Sequence, residues 1–222
     1  DEEADVVIAG AGGAALAAAA AALTAGAKVL LLEAGDEPGG TTRLSGGAFW
    51  IPNNSLMRAR GLEDPRDEAL AYMARLAYPS LYDRQAKHLG LPENEYALLA
   101  TFYDRGAEVT DALIRLGAID PIILPPLGFG KSPVSDPDYH AELLENRAPY
   151  GRVLTAQVPA GVFAWPGVYL VAGLVEHVKK LGGRILVRHR VVRALTGDRG
   201  EVLGVEADSD GKTKSVRALR GV

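Results

Sequence analysis

Two glycines and one acid near the start of the chain have the types and spacing of a site for phosphate and ribose. Gly10 and Gly12 follow the apolar run D-V-V-I-A, and Glu33 follows a second apolar run, K-V-L-L-L. Gly10 permits a tight turn, since a side chain there would displace the backbone, and Gly12 lets the backbone approach a pyrophosphate. The first amides of the next helix can then bind phosphate, and Glu33 can accept hydrogen bonds from ribose hydroxyls.

The elements that must position these residues form a β-α-β unit. Apolar residues 6–9 and 29–32 predict two strands, and the alanine-rich run 14–25 predicts the helix between them, because alanine has the highest helix propensity. Ala15 stands where a third glycine is common and where close helix–strand packing is the only requirement. The order of strand, glycines, helix, strand and acid predicts a dinucleotide site. The alternative is an ordinary β-α turn whose glycines serve packing.

Helix signals and strand breaks organise the rest of the chain. Asp64-Pro65, followed by two acids, predicts a helix start. Apolar residues spaced by three and four predict a second helix from Pro92 to Gly117 and a third over 168–181. Glycine-containing breaks then separate a strand from a small antiparallel meander, predicted at 184–187, 191–196, 202–208 and 213–218.

A proline-rich stretch, residues 118–166, shows no sustained helix or strand period. Its aromatic side chains, Phe129 and Trp165 among them, argue against a disordered linker. An irregular stretch of this length inside a domain is usually functional, so an ordered segment near the substrate is expected. A surface wrap is the alternative.

Composition excludes several classes of function. The 222 residues carry a net charge of −4, which gives no reason to expect nucleic acid as a partner. Cysteine is absent, so disulfides, thiol catalysis and cysteine-based metal sites are excluded, and a cytoplasmic protein is expected. The four histidines lack the spacing of metal ligands, and no apolar run is long enough to span a bilayer.

The segment after Glu33 adds a family resemblance. P-G-G-T-T-R-L-S-G-G, followed by W-I-P-N-N, resembles the flavin loop of the fumarate reductase and 3-ketosteroid dehydrogenase superfamily, with the ketosteroid branch the most similar. The resemblance implies an α/β, Rossmann-like FAD-binding domain of the glutathione-reductase type. It implies cofactor contacts at Gly10, Gly12, Gly13, Ala15, Glu33, Ala34, Gly39, Gly40, Thr41, Thr42, Ser45, Gly46, Gly47 and Val191.

The same resemblance predicts how FAD is held and where the domain is divided. Gly40 occupies the position at which the succinate dehydrogenase branch has a histidine that binds FAD covalently, so non-covalent FAD is expected. Residues 1–55 and 167–222 are predicted to form the FAD-binding domain, and residues 56–166 a helical, proline-rich insertion. Relatives continue beyond the position of Val222, so a second chain or a missing C-terminal region is expected to complete the fold.

The resemblance implies hydride transfer at a carbon–carbon bond next to a carbonyl or carboxylate. A catalytic tyrosine of the ketosteroid branch matches His140, and a shift of one residue makes it Tyr139. An imidazole can exchange protons near neutral pH; a solvated loop histidine is the alternative. Arg152 is interpreted either as a ligand for a substrate carboxylate or as a surface arginine.

Three functions therefore stay open. The first is an FAD-dependent dehydrogenase acting on a steroid-like ketone, with reduction of an unsaturated carboxylate by a fumarate or enoate reductase as its variant. The second is a non-catalytic FAD-binding subunit that needs a partner chain. The third is a plain NAD-binding domain.

Overall fold

Strands and helices alternate along the chain in the computed structural model, which describes residues 2–125, 140, 142–148 and 150–222. The helices are α1 (Gly13–Thr24), α2 (Gly40–Leu44), α3 (Ser55–Ala59), α4 (Arg66–Ala77), α5 (Glu93–Arg115) and α6 (Pro166–Lys180). The strands are β1 (Glu2–Ala9), β2 (Val29–Leu32), β3 (Ala48–Trp50), β4 (Pro121–Ile123), β5 (Val153–Ala156), β6 (Arg184–Leu186), β7 (Arg190–Thr196), β8 (Val202–Ser209) and β9 (Lys212–Gly221).

The first of two units comprises the chain up to Gly47, Leu116–Asp120 and Ala156–Val222. Its six-stranded sheet has the order β6-β2-β1-β9-β8-β7. Strands β6, β2, β1 and β9 run parallel, with Val6 opposite Val29 and Leu30 opposite Arg184. The carboxyl ends of parallel strands form the usual ligand edge of such a sheet, and the glycine turn after β1 lies there.

Buried apolar residues cover the sheet. Val7, Leu30 and Val205 belong to one core cluster, and each of these three residues is at most 1% exposed. Helix α1 contacts α6, and its buried residues are Leu16, Ala19 and Ala20. Alanine has a short side chain, so α1 can lie close to its neighbours. The predicted alanine helix is therefore confirmed, as are the strands on either side of it.

Strand β9 joins the parallel sheet to the antiparallel meander. Its first part pairs with β8 antiparallel, from Ser209 opposite Lys212 to Gly204 opposite Arg217. Its second part pairs with β1 in parallel, starting with Val216 opposite Glu2. The predicted meander is confirmed, and with it the α/β fold class.

The second unit comprises Ala48–Arg115 and Pro121–Thr155. Helices α4 and α5 contact each other and begin directly after the predicted starts, Asp64-Pro65 and Pro92. A three-stranded sheet has the order β3-β5-β4. The sequence analysis was wrong to find no strand in residues 118–166, because β4 and β5 are too short, at three and four residues, to show a period.

Two further expectations from the sequence concern membrane-spanning helices and the residue Phe129. None of the helices in the described part of the chain combines the length and apolar character needed to cross a membrane. Phe129, named as evidence for an ordered proline-rich segment, lies outside the described residues.

The core of the first unit leads to a prediction for the free energy of unfolding. Leu30→Ala removes a side chain that is 1% exposed, whereas Leu219→Ala changes one that is 50% exposed on the same sheet. Loss of buried methyl groups leaves a cavity, so Leu30→Ala is expected to lower the free energy of unfolding by about 2–5 kcal/mol. Urea unfolding followed by circular dichroism measures both variants, and equal losses would contradict the assigned core.

Candidate functional site

The glycine turn after β1 leaves the start of α1 accessible to an anion. Gly10 has φ of +91°, and its amide donates to the Leu32 carbonyl at 2.7 Å. Gly12 caps α1, where no side chain bonds to the cap, and the first turn contains no acid. Because the first amides of a helix have no partner within the helix and the helix dipole makes this end positive, its backbone can receive a phosphate group.

The loop after Glu33 folds back onto this turn. The Gly39 amide donates to the Ala11 carbonyl at 2.7 Å, and Gly12 and Gly39 form an isolated parallel bridge. The Gly13 amide donates to Thr42 Oγ1 at 3.2 Å. Two glycine segments that are far apart in the sequence therefore lie side by side at the start of α1.

Glu33 is held at the end of β2 by backbone amides. Its Oε2 accepts from the Ala11 amide at 2.8 Å and its Oε1 from the Gly35 amide at 2.7 Å. Its carbonyl accepts from the His189 amide at 2.8 Å. Each carboxylate oxygen can accept more than one hydrogen bond, so Glu33 can still bind ribose hydroxyls. Val191, two residues after His189, is half-buried in β7.

Packing on α6 fixes the second half of the loop. A Cβ built on Gly47 would lie 2.5 Å from the Gly167 amide nitrogen, and one built on Gly39 would lie 2.8 Å from Val171 Cγ1. Ser45 Oγ accepts from the Gly47 amide at 3.1 Å and donates to the Thr42 carbonyl at 2.8 Å. The loop is therefore held by the hydrogen bonds of Ser45 and by close contact with α6, which glycine at positions 39 and 47 permits.

Sequence reasoning missed the part of α6 in this site. Gly167 is buried, and a Cβ there would lie 2.3 Å from the Thr42 carbonyl oxygen and 2.6 Å from that of Ser45. The signal was present as Pro166-Gly167 at the helix start, but it reads only as a helix boundary without the tertiary contact.

The first unit contains every residue predicted to bind the cofactor. Besides those above, Ala15 lies in α1, Gly40 and Thr41 begin α2, and Ala34 and Gly46 are exposed in the loop. Their individual contacts with a cofactor stay predictions.

The two residues predicted to be catalytic belong to the proline-rich stretch. Tyr139 lies outside the described residues. His140 is exposed, and its Nδ1 lies 2.7 Å from Glu142 Oε1. This contact lowers the pKa of the Glu142 carboxyl below its usual value, because the imidazole hydrogen-bonds to the carboxylate. A catalytic role for His140 stays a prediction.

Both interpretations of Arg152 were wrong. Its side chain is 0% exposed and forms two hydrogen bonds to Asp64, at 2.8 and 3.0 Å. A guanidinium with a buried carboxylate already in place is neither a surface charge nor available for the carboxylate of a substrate. The buried pair was not predicted because 88 residues separate its members.

The family model described as an FAD binding domain matches residues 5–222. This chain belongs to the FAD-binding domain family. The helix start, the returning loop and Glu33 fit the pyrophosphate and ribose of FAD, so the predicted superfamily resemblance, fold and cofactor are confirmed. The interpretation as a plain NAD-binding domain was wrong.

Known proteins with the same domain include steroid dehydrogenases. A 3-oxosteroid 1-dehydrogenase of Comamonas testosteroni is 26% identical over 263 residues, which cover 100% of this chain and 46% of that protein. The structure of 3-ketosteroid-Δ4-(5α)-dehydrogenase from Rhodococcus jostii RHA1, in complex with 4-androstene-3,17-dione, has 28% identity and a TM-score of 0.76 over 100% of this chain and 45% of that one. The FAD-binding chain thus spans less than half the length of either protein.

A more distant structure shares the fold. The open conformation of a flavocytochrome c3 fumarate reductase matches with a TM-score of 0.67 and 21% identity, covering 100% of this chain and 33% of that one. At this identity the similarity concerns the fold alone.

The position of Glu33, where two backbone amides bind its carboxylate, leads to a prediction for FAD affinity. Glu33→Gln removes the charge that ribose hydroxyls meet, and hydrogen bonds to charged groups contribute about 1.5–3 kcal/mol. The dissociation constant for FAD is expected to rise roughly 10- to 100-fold in flavin fluorescence titrations. Glu37→Gln is the control, because Glu37 lies in the same loop as an exposed partner of Arg43. Equal effects would contradict the ribose role.

Because Gly47 packs closely on α6 and Gly46 does not, alanine substitutions at these two positions are expected to affect the unfolding temperature very differently. Gly47→Ala forces a methyl group against the backbone of Pro166 and Gly167 at a φ of +64°, whereas a Cβ on Gly46 meets nothing within 4 Å. Overpacking costs about 1–3 kcal/mol, so Gly47→Ala is expected to lower the unfolding temperature of the apoprotein and Gly46→Ala to leave it unchanged. Equal temperatures would show that the loop does not pack this closely.

Proposed function

We propose that this chain is the FAD-binding part of an oxidoreductase that dehydrogenates a carbon–carbon bond next to a carbonyl, as in ketosteroid dehydrogenases. The observation that carries the proposal is the return of the 34–47 loop onto the glycine turn, where Gly39 meets Ala11. This arrangement supports a long dinucleotide, with its pyrophosphate at α1 and its isoalloxazine ring further along the loop. The match to two steroid dehydrogenases over the whole chain supports a steroid-like ketone as substrate.

The residues of the chain bind and orient the cofactor. Amides at the start of α1 bind the pyrophosphate, and Glu33 binds the ribose. Thr42 and Ser45 hold the loop in place, because their hydroxyl groups bind the amides of Gly13 and Gly47. When bound, FAD supplies the two-electron acceptor for a hydride from the substrate. Gly40 offers no side chain that could bond to the flavin, so we propose that FAD is held non-covalently.

The reaction also releases a proton from the carbon next to the one that loses the hydride, and a double bond forms between them. We propose His140 or Tyr139 as the residue that accepts this proton. An imidazole titrates near neutral pH, which suits the task. Glu142 Oε1 lies 2.7 Å from His140 Nδ1, so this contact can orient the imidazole ring.

Two alternatives have support. The fold shared with a fumarate reductase fits a flavoprotein that reduces an unsaturated carboxylate. A non-catalytic FAD-binding subunit that acts with a partner chain is the second alternative, since all the residues proposed to bind FAD lie in one unit. The cytoplasmic location stays a prediction.

An absorbance spectrum of the purified chain, before and after heat denaturation, tests cofactor binding. Flavin bands are expected on the native protein, with all FAD in the supernatant after denaturation. Flavin that stays with the denatured chain would contradict non-covalent binding. A colourless chain that takes up no added FAD would contradict the proposal as a whole.

Turnover separates the candidate reactions. The FAD-loaded chain is mixed with a saturated 3-ketosteroid and an oxidising dye, or with fumarate and a reduced dye. No turnover by this chain alone is expected, because it spans less than half the length of the steroid dehydrogenases that it matches. Dye reduction by the ketosteroid would show that the chain is a dehydrogenase by itself, and dye oxidation by fumarate would support the first alternative. Inactivity of the FAD-loaded chain in both assays is the result expected of an FAD-binding part that needs further sequence or a partner chain.

A further inference from the structure

The segment W-I-P-N-N, residues 50–54, begins three residues after the end of the flavin loop at Gly47 and has no part in the site described above. Its neighbours in the second unit include a completely buried ion pair. Both side chains of the Asp64–Arg152 pair are 0% exposed. Burying two charges costs free energy unless their hydrogen bonds are made, so the position of this pair needs a structural explanation.

The hydrogen bonds of the pair meet that condition. Arg152 Nη2 and Nε donate to the two Asp64 carboxylate oxygens at 2.8 and 3.0 Å, and Nη1 donates to Asn146 Oδ1 at 3.0 Å. The Tyr103 hydroxyl donates to the Asp64 carbonyl at 2.5 Å. The planar guanidinium is thus fixed in one orientation, which a lysine ammonium would not be.

The pair holds the 50–54 segment at both of its ends. At the start, the Arg152 guanidinium carbon lies 5.3 Å from the centre of the Trp50 ring and 4.8 Å from that of Tyr72. At the end, the Asn53 amide donates to Asp64 Oδ2 at 2.9 Å. Between them the Ile51 amide donates to the Arg152 carbonyl at 2.7 Å.

Asn54 completes the arrangement from inside the segment. Its side-chain amide donates to the carbonyls of Ile51 and Gly151, both at 2.9 Å, and its Oδ1 accepts from the Met57 amide at 3.0 Å. Asn54 is 0% exposed. Its role is therefore to close the turn and not to contact a ligand.

We propose that Asp64 and Arg152 are positioning residues, which hold Trp50 in one orientation and fix the strand that begins one residue after the flavin loop. Ala48 follows Gly47 in the chain and pairs with Thr155, and Trp50 pairs with Val153. The peptide chain therefore ties the exit of the flavin loop to this strand. The effect on FAD rests on the proposed function; the effect on Trp50 does not.

The test uses Trp50 as its reporter. The chain has two tryptophans, Trp50 and Trp165, and Trp165 is 68% exposed. In a Trp165→Phe background Trp50 is the only tryptophan, so the circular dichroism of the apoprotein at the long-wavelength edge of the near ultraviolet, beyond the absorption of tyrosine, follows Trp50. Arg152→Lys keeps the charge but not the planar contact. The expected result is loss of the Trp50 signal with unchanged far-ultraviolet spectrum. The dissociation constant for FAD is expected to rise roughly tenfold, because a loop that is held less firmly must be ordered when FAD binds.

A second pair of the same geometry provides the control. Arg66 binds Asp104 through two hydrogen bonds of 2.8 and 2.9 Å in the same unit, but the two side chains are 41% and 46% exposed. Exposed pairs contribute little, so Arg66→Lys is expected to change neither the Trp50 signal nor FAD affinity. Equal effects of the two lysine variants would overturn the proposal.

A double variant covers the case in which Arg152→Lys does not fold. Asp64→Leu with Arg152→Met replaces the pair with apolar side chains of similar size, an exchange that often preserves stability. If this variant keeps the Trp50 signal and the FAD affinity, packing alone positions the segment and the proposal is overturned. If the signal is lost and FAD affinity falls, the proposal is supported.

Two further outcomes are distinguishable. A Trp50 signal that is lost while FAD affinity stays the same shows that the pair orients Trp50 but does not act on the flavin loop, which overturns the proposed effect on FAD. A starting protein that binds no FAD contradicts the proposed function, and the Trp50 signal then still decides whether the pair orients this side chain.

Discussion

The approach of two backbone segments at the start of α1 is the constraint on which the site depends. The amide of Gly39 donates directly to the carbonyl of Ala11 at 2.7 Å, so no side chain lies between the two backbone segments. The other side of the same loop meets α6 at Gly167, again without a side chain between them. Three layers of backbone therefore stack closely, and a polar, planar cofactor can be bound by amides and hydroxyls instead of by long side chains.

The carboxylates of Glu33 and Asp64 lie in two different environments. Glu33 is half-buried at the ligand edge of the sheet, where backbone amides bind its carboxylate without neutralising it. Asp64 is fully buried, and the guanidinium of Arg152 neutralises it. A carboxylate that keeps its charge and some exposure can serve a ligand, whereas one that is paired and buried can only hold the protein together. This difference separates the ligand-binding acid from the structural one.

The family is settled while the reaction is a proposal, and the structure accounts for this difference. The residues proposed to bind the cofactor, in the glycine turn, at Glu33 and in the returning loop, all lie within one unit of the described chain. The choice of substrate depends on groups that face the reactive end of the flavin. The relatives that act on steroids are more than twice as long as this chain, so the two kinds of information need not lie in the same stretch of sequence.

The sequence by itself determined the β-α-β unit, Glu33 and the antiparallel meander, because strand runs, glycine turns and helix propensity are local properties. It also led to FAD, through a loop motif that is continuous in the chain. Only the tertiary structure decided the role of Arg152, whose partner lies 88 residues away, and the contact of Gly167 with the flavin loop. Short strands such as β4 also escaped prediction. In each case the stabilising contact joins segments that are distant in sequence, and no local pattern records which of them will meet.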